Sequence, residues 1–183
     1  MDKIIREVFE LKDVDADSYS PLTLAYIGDC VYELTIRTLL VNKGNAPVNK
    51  LNKKASDLAK APTQSKMISM LVENELLTGE ELAVYKRGRN AKSFSTAKNA
   101  TVGQYRMATG FECLIGYLYL DKQYDRMFEI TKMILSMPDT DDNKENAAEI
   151  HTGKKTETCS ETDVDTAIET DKYEEDTVTV DGE

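Results

Sequence analysis

Two stretches decide most of what this chain can fold into. LAYIGDCVYEL, residues 24–34, and MATGFECLIGYLYL, residues 107–120, are apolar on nearly every side when wound as helices. Asp29 stands in the middle of the first and Glu112 in the middle of the second. Helices of this kind are buried against other helices, and an ionised carboxylate there is costly unless it is paired. Two buried helices in a small domain touch, so the two acids are expected to face each other. Unpaired, they would share a proton; with a divalent ion between them, both would stay ionised. Oxygen ligands with open positions favour Mg²⁺ or Mn²⁺ over zinc. The plainer alternatives are a helix-capping role or an arginine partner such as Arg37 or Arg106. Glu33, one turn after Asp29, either joins the pair or lies at the surface behind it, and the second is the preferred reading.

The remaining pattern is helical as well. Residues 1–11 carry a short amphipathic segment. Ser20-Pro21 caps and opens a helix over about 21–43, which Gly44 is placed to end. Pro47 opens a third helix, about 48–60, rich in lysine. Thr63 begins a fourth, about 63–76, and Thr78 with Glu81 forms a capping box for a fifth, about 79–89. RGRNAKSFSTAKN, residues 87–99, has no apolar period and reads as a loop. Further helices are expected over about 101–121 and 122–137. Nothing alternates with period two over a useful length, so the fold class is all-α.

Charge divides the chain. Residues 138–183 hold 16 of the 33 acidic residues and 4 of the 23 basic ones, whereas residues 1–137 carry a net charge of +2. A segment so charged and poor in aromatics cannot bury enough apolar surface to offset its ordering entropy, so 138–183 is expected to be a disordered acidic tail beside a domain at 1–137. The simpler reading of the tail is a solvated extension; the alternative is a polyanion mimic that competes for the domain's basic surface. Within the domain, residues 82–111 contain no Asp or Glu but hold Lys86, Arg87, Arg89, Lys92, Lys98 and Arg106, with Asn90 and Ser93 among the hydrogen-bonding residues between them. Cations in such a window neutralise phosphates and release counterions. The window runs into the helix of Glu112, so a polyanion held there would be delivered to the acids.

Other chemistries are excluded. His151 is the only histidine and lies in the tail, so imidazole catalysis in the domain is not expected. Cys30, Cys113 and Cys159 form no ligand or disulfide pattern; the first two read as small core residues, and together they suggest a reducing cytoplasm. No apolar run is long enough to span a bilayer, and the charged start is not that of a signal peptide.

LAYIGDCVYEL, KRGRNAKS and GFECLIGYLYLDK, in this order and spacing, resemble the Mini-ribonuclease III family, over about residues 20–135. The resemblance implies an all-α ribonuclease III-like endonuclease domain that dimerises and cleaves double-stranded RNA with Mg²⁺ (Mn²⁺ in its place), leaving a 5′-phosphate and a 3′-hydroxyl. It implies maturation of the ends of large-subunit (23S) ribosomal RNA. It assigns Asp29 and Glu112 as catalytic metal ligands, and Lys86, Arg87, Arg89, Asn90, Lys92, Ser93 and Lys98 to RNA binding. Larger ribonuclease III enzymes carry further acids where this chain has Ala25 and Thr109, so water is expected to fill more of the ion's shell. No segment reads as a separate double-stranded-RNA-binding module, so RNA shape is expected to matter more than base sequence. The rival reading is a non-catalytic RNA-binding or ribosome-assembly protein, with Asp29 purely structural.

Overall fold

A computed structural model describes residues 2–13, 15–92 and 100–136. The expected tail at 138–183, and Ser93 and Lys98 of the expected RNA-binding set, lie outside the described residues. Those described form α1 (Asp2–Val8), a 3-10 turn (Ala16–Ser18), α2 (Pro21–Val41), α3 (Val48–Ala59), α4 (Ala61–Glu73), α5 (Gly79–Arg89), α6 (Val102–Leu120) and α7 (Tyr124–Ser136). No strand occurs among them, so the class is all-α as expected.

Local chemistry starts the helices. Ser20 accepts from the Thr23 amide at 3.1 Å with Pro21 in the first turn. Thr78–Glu81 and Thr101–Gln104 each close a reciprocal capping box. The junction between α3 and α4 departs from expectation, because α4 begins at Ala61 and only Lys60 separates the two helices. Pro62 is the reason. It has no N–H to give to the carbonyl of residue 58, so α3 cannot continue through it, yet proline suits the first turn of a new helix. The Leu58 carbonyl instead accepts from the Tyr32 hydroxyl at 3.4 Å. Gly44 adopts φ +129°, as a residue placed past a helix end can, although α2 ends at Val41.

α6 is the central helix, packed against α2, α5 and α4 and, less extensively, α7. Phe111, Cys113, Leu114, Ile115 and Leu118 are at most 1% exposed. Tyr32 of α2 meets Phe111 edge-on, the ring centroids 5.1 Å apart. α2 behaves differently from the expectation of burial on nearly all sides. Leu22, Tyr26, Leu34 and Val41 remain exposed, with Tyr26 at 76%, and Cys30 is exposed where a core residue was expected. α6 has neighbours all round it, whereas α2 has them on one side.

α5 is held at both ends. At its start, buried Glu81 takes 2.6 and 2.9 Å hydrogen bonds from Arg126 of α7. Burial pushes the Glu81 carboxyl up, but Arg126 and the Thr78 backbone together hold it below its ordinary value. At its end, a Cβ on Gly88 would fall 2.5 Å from Cys113 Cβ, and one on Gly110 2.7 Å from the Tyr85 ring. α5 ends at Arg89, as expected for the fifth helix, so the loop expected over 87–99 begins only after it.

Candidate active site

The meeting of the two acids depends on a pair of glycines. A Cβ on Gly28 would fall 1.9 Å from the carbonyl oxygen of Glu112, and one on Gly116 would fall 2.0 Å from that of Leu24. Residues 24–28 of α2 and 112–116 of α6 therefore touch backbone to backbone, an approach that any side chain would block. Asp29 follows Gly28 directly and so arrives beside Glu112. Burial, and after it the charge of Asp29, push the Glu112 carboxyl up to about 8; the amide of Gln64 pulls it back and Glu33 adds a smaller push. Asp29 is raised too, by burial first and then by Glu33, against the opposing charge of Arg37.

Neither acid has an arginine or lysine partner among the described residues. Arg37 pairs with Glu33 on the next turn of α2 instead, and Arg106 is exposed. Glu33 is half-buried and acts on both acids through its charge. Ala25 is buried, and the Thr109 hydroxyl turns back to the Tyr105 carbonyl at 3.0 Å, so neither adds a ligand. No group of three or more His, Cys, Asp or Glu side chains among the described residues is arranged to hold a metal. What remains is a partly buried pair of carboxylates that repel each other, with no ion-pair contact among the described residues and Arg37 acting on Asp29 only through its charge. This donor set fits a hard divalent ion whose other ligands are water and substrate oxygens.

Burial, and after it the repulsion, has a measurable consequence in the metal-free protein. Glu112 binds its proton more tightly when folded, about 8 against an ordinary 4.5. Its contribution to stability is therefore greatest below the ordinary value and is lost as pH rises through the folded one. Thermal unfolding in chelator should show Tm falling between pH 4.5 and about 8, with Mg²⁺ restoring much of the loss at the upper end.

One residue of the site was missed in the sequence. Gln64 of α4 is wholly buried, and neither its amide nitrogen nor its oxygen completes a hydrogen bond. The signal was available: Gln64 is the polar exception in a helical stripe with Met67, Ile68 and Leu71.

The expected RNA-binding residues behave unequally. Lys86, Asn90 and Lys92 are exposed. Arg89 lies over the Tyr85 ring, 5.7 Å from its centroid. Arg87 turns inward: Nη1 is 3.8 Å from Asp17, and Nε and Nη2 are buried without a hydrogen bond. The turn of α6 that carries Glu112 also carries Gly110 and Cys113, on which the end of α5 rests. The basic end of α5 is thus built onto the same turn as the acid.

The family pattern of the Ribonuclease III domain matches residues 22–123, from α2 to the turn after α6. Together with the all-α architecture, it makes this a ribonuclease III domain, the class of an endoribonuclease. Among its relatives, a Mini-ribonuclease 3 of Clostridium tetani is 44% identical over 146 residues, 79% of this chain and 94% of the relative. One of Enterococcus faecalis is 46% identical over 116 residues, 63% of this chain and 88% of the relative. A crystal structure of a Fusobacterium nucleatum protein is similar with a TM-score of 0.59 at 30% identity, covering 67% of this chain and 96% of that one. The chain belongs to the Mini-ribonuclease 3 family. No helix among the described residues is long and apolar enough to cross a membrane.

Proposed function

We propose that the protein is a Mg²⁺-dependent endonuclease of double-stranded RNA in which Asp29 and Glu112 hold the ion, and that its cytoplasmic substrate is the precursor of large-subunit (23S) ribosomal RNA. The observation that carries this reading is the glycine-mediated contact that brings two carboxylates together with no ion-pair partner among the described residues. When bound, the ion supplies an activated water and takes up charge from the leaving oxygen. Asp29 and Glu112 fix where that water and the scissile phosphate sit. Glu33 adds negative charge behind them. Hydrolysis leaves a 5′-phosphate and a 3′-hydroxyl. The test is a gel: duplex RNA should be cut with Mg²⁺ or Mn²⁺ and remain whole in chelator, and a chain lacking residues 138–183 should cut as well as the full one. Binding without cutting would favour the non-catalytic rival.

The exposed cations Lys86 and Lys92 hold the RNA backbone in this reading, with Asn90 between them and Ser93 and Lys98 further along the same segment. Arg87 and Arg89 add positive charge at the same end of α5. Changing Lys86 and Lys92 to alanine should weaken RNA binding and flatten the slope of log K against log salt by about one per phosphate-contacting lysine. An unaltered slope in a filter-binding titration would remove this segment from the interface.

A homodimer with one site per subunit would cut both strands. The exposed apolar side of α2, with Leu22, Tyr26 and Leu34, supports an interface there. Sedimentation should report a dimer, and Tyr26→Glu should shift it to monomer; a dimer unaffected by that change would place the contact elsewhere.

A further inference from the structure

Gln64 has no place in the mechanism above, yet its surroundings are unusual. It is 0% exposed, inside an apolar stripe where leucine or methionine would pack without penalty. Leaving a buried amide unsatisfied is costly, and among the described residues Gln64 leaves both its donor and its acceptor unsatisfied. α4 packs on α6, and the Glu112 carboxylate lies close enough for the Gln64 amide to favour its ionised form, though short of a well-formed hydrogen bond. Once Glu112 is ionised it only accepts, so the amide then turns its N–H₂ to Glu112 and leaves its oxygen free. A free, buried acceptor beside a cation site is suited to a water molecule.

We infer that Gln64 is a positioning residue: its amide holds the Glu112 carboxylate in the ion-binding orientation, and its oxygen accepts from a water at the same site. The inference rests on the proposed metal-binding role of Glu112. Gln64 stands where neither Ala25 nor Thr109 can contribute, and it does so with a neutral group that adds no further repulsion to Asp29, Glu33 and Glu112. A buried neutral donor directs a carboxylate without needing a proton of its own, so its effect should persist wherever Glu112 is ionised.

The test compares the full chain with Gln64→Met, Gln64→Leu and Glu112→Gln. Mn²⁺ binding is measured by electron paramagnetic resonance without RNA, cleavage by kcat and KM, and folding by Tm. Either Gln64 variant should fold with Tm equal to or above that of the parent, because an unsatisfied amide is removed. Mn²⁺ affinity should fall about tenfold, as when other groups that orient metal ligands are lost. kcat should fall with it while KM for RNA holds. If both variants bind Mn²⁺ and turn over like the parent, or lose Tm with kcat intact, Gln64 is only a core residue. If Glu112→Gln itself leaves Mn²⁺ binding unchanged, the metal-site reading fails, and that result is distinct from either Gln64 outcome.

Discussion

Glu112→Gln should lower cleavage of duplex RNA by about a thousandfold or more while RNA binding stays within a few-fold and the metal-free protein becomes more stable above neutral pH. The three effects have one origin. The parent buries a carboxylate beside Asp29, and the two repel each other. A neutral amide of the same shape removes that repulsion, so the Tm loss expected between pH 4.5 and about 8 should largely disappear. The same change removes half of the anionic donor set. Charge stabilisation by a bound ion supplies several kcal/mol to a transition state, and about 4 kcal/mol corresponds to roughly a thousandfold in rate. In the proposed reading RNA affinity comes mainly from cations at the end of α5, which the change does not touch. Asp29→Asn should behave alike, with a smaller gain in stability because Asp29 is less buried. Single-turnover cleavage, filter binding and thermal unfolding across pH measure the three. Activity within tenfold of the parent, or affinity lost in parallel with activity, would undo the assignment of the acids.

Gly28→Ala should destabilise the fold by at least about 3 kcal/mol, lowering Tm by on the order of 10 °C, and should abolish cleavage in whatever remains folded. The new Cβ would sit 1.9 Å from the Glu112 carbonyl, an atom of helical backbone that cannot swing aside. α2 and α6 would have to separate, and the packing lost runs along the centre of the domain. The gain of about 1 kcal/mol from replacing a helical glycine is too small to offset that. Gly103→Ala is the control. Its Cβ would meet nothing closer than Thr101 Oγ1 at 3.9 Å, so it should keep activity and gain about 0.5–1 kcal/mol. Equal stability of the two variants by denaturant unfolding would show that the α2–α6 approach is looser than the glycines imply.

Helix starts were legible because their causes are local. Ser20, Thr78 and Thr101 each act on an amide three residues away, so the caps appear wherever the residues do. The break at Lys60 was less legible, since Pro62 favours the start of a helix and forbids the continuation of one. Cys30 was misjudged because an apolar neighbourhood in sequence says nothing of which side of α2 finds a neighbour. Arg87 and Arg89 share a turn and a charge, yet one turns inward to Asp17 and the other lies on Tyr85, a difference set by what α5 happens to face.

Composition and spacing alone determined that the chain is helical, that its charge is divided, and that Asp29 and Glu112 are costly where they stand, because hydration and capping act residue by residue. Only the tertiary structure decided that the two acids share one place, that Gln64 is buried beside Glu112, and that Arg37 is committed to Glu33. Those outcomes depend on how closely α2, α4 and α6 approach, and that distance is set by the absence of side chains at Gly28 and Gly116, whose partners lie some ninety residues away along the chain.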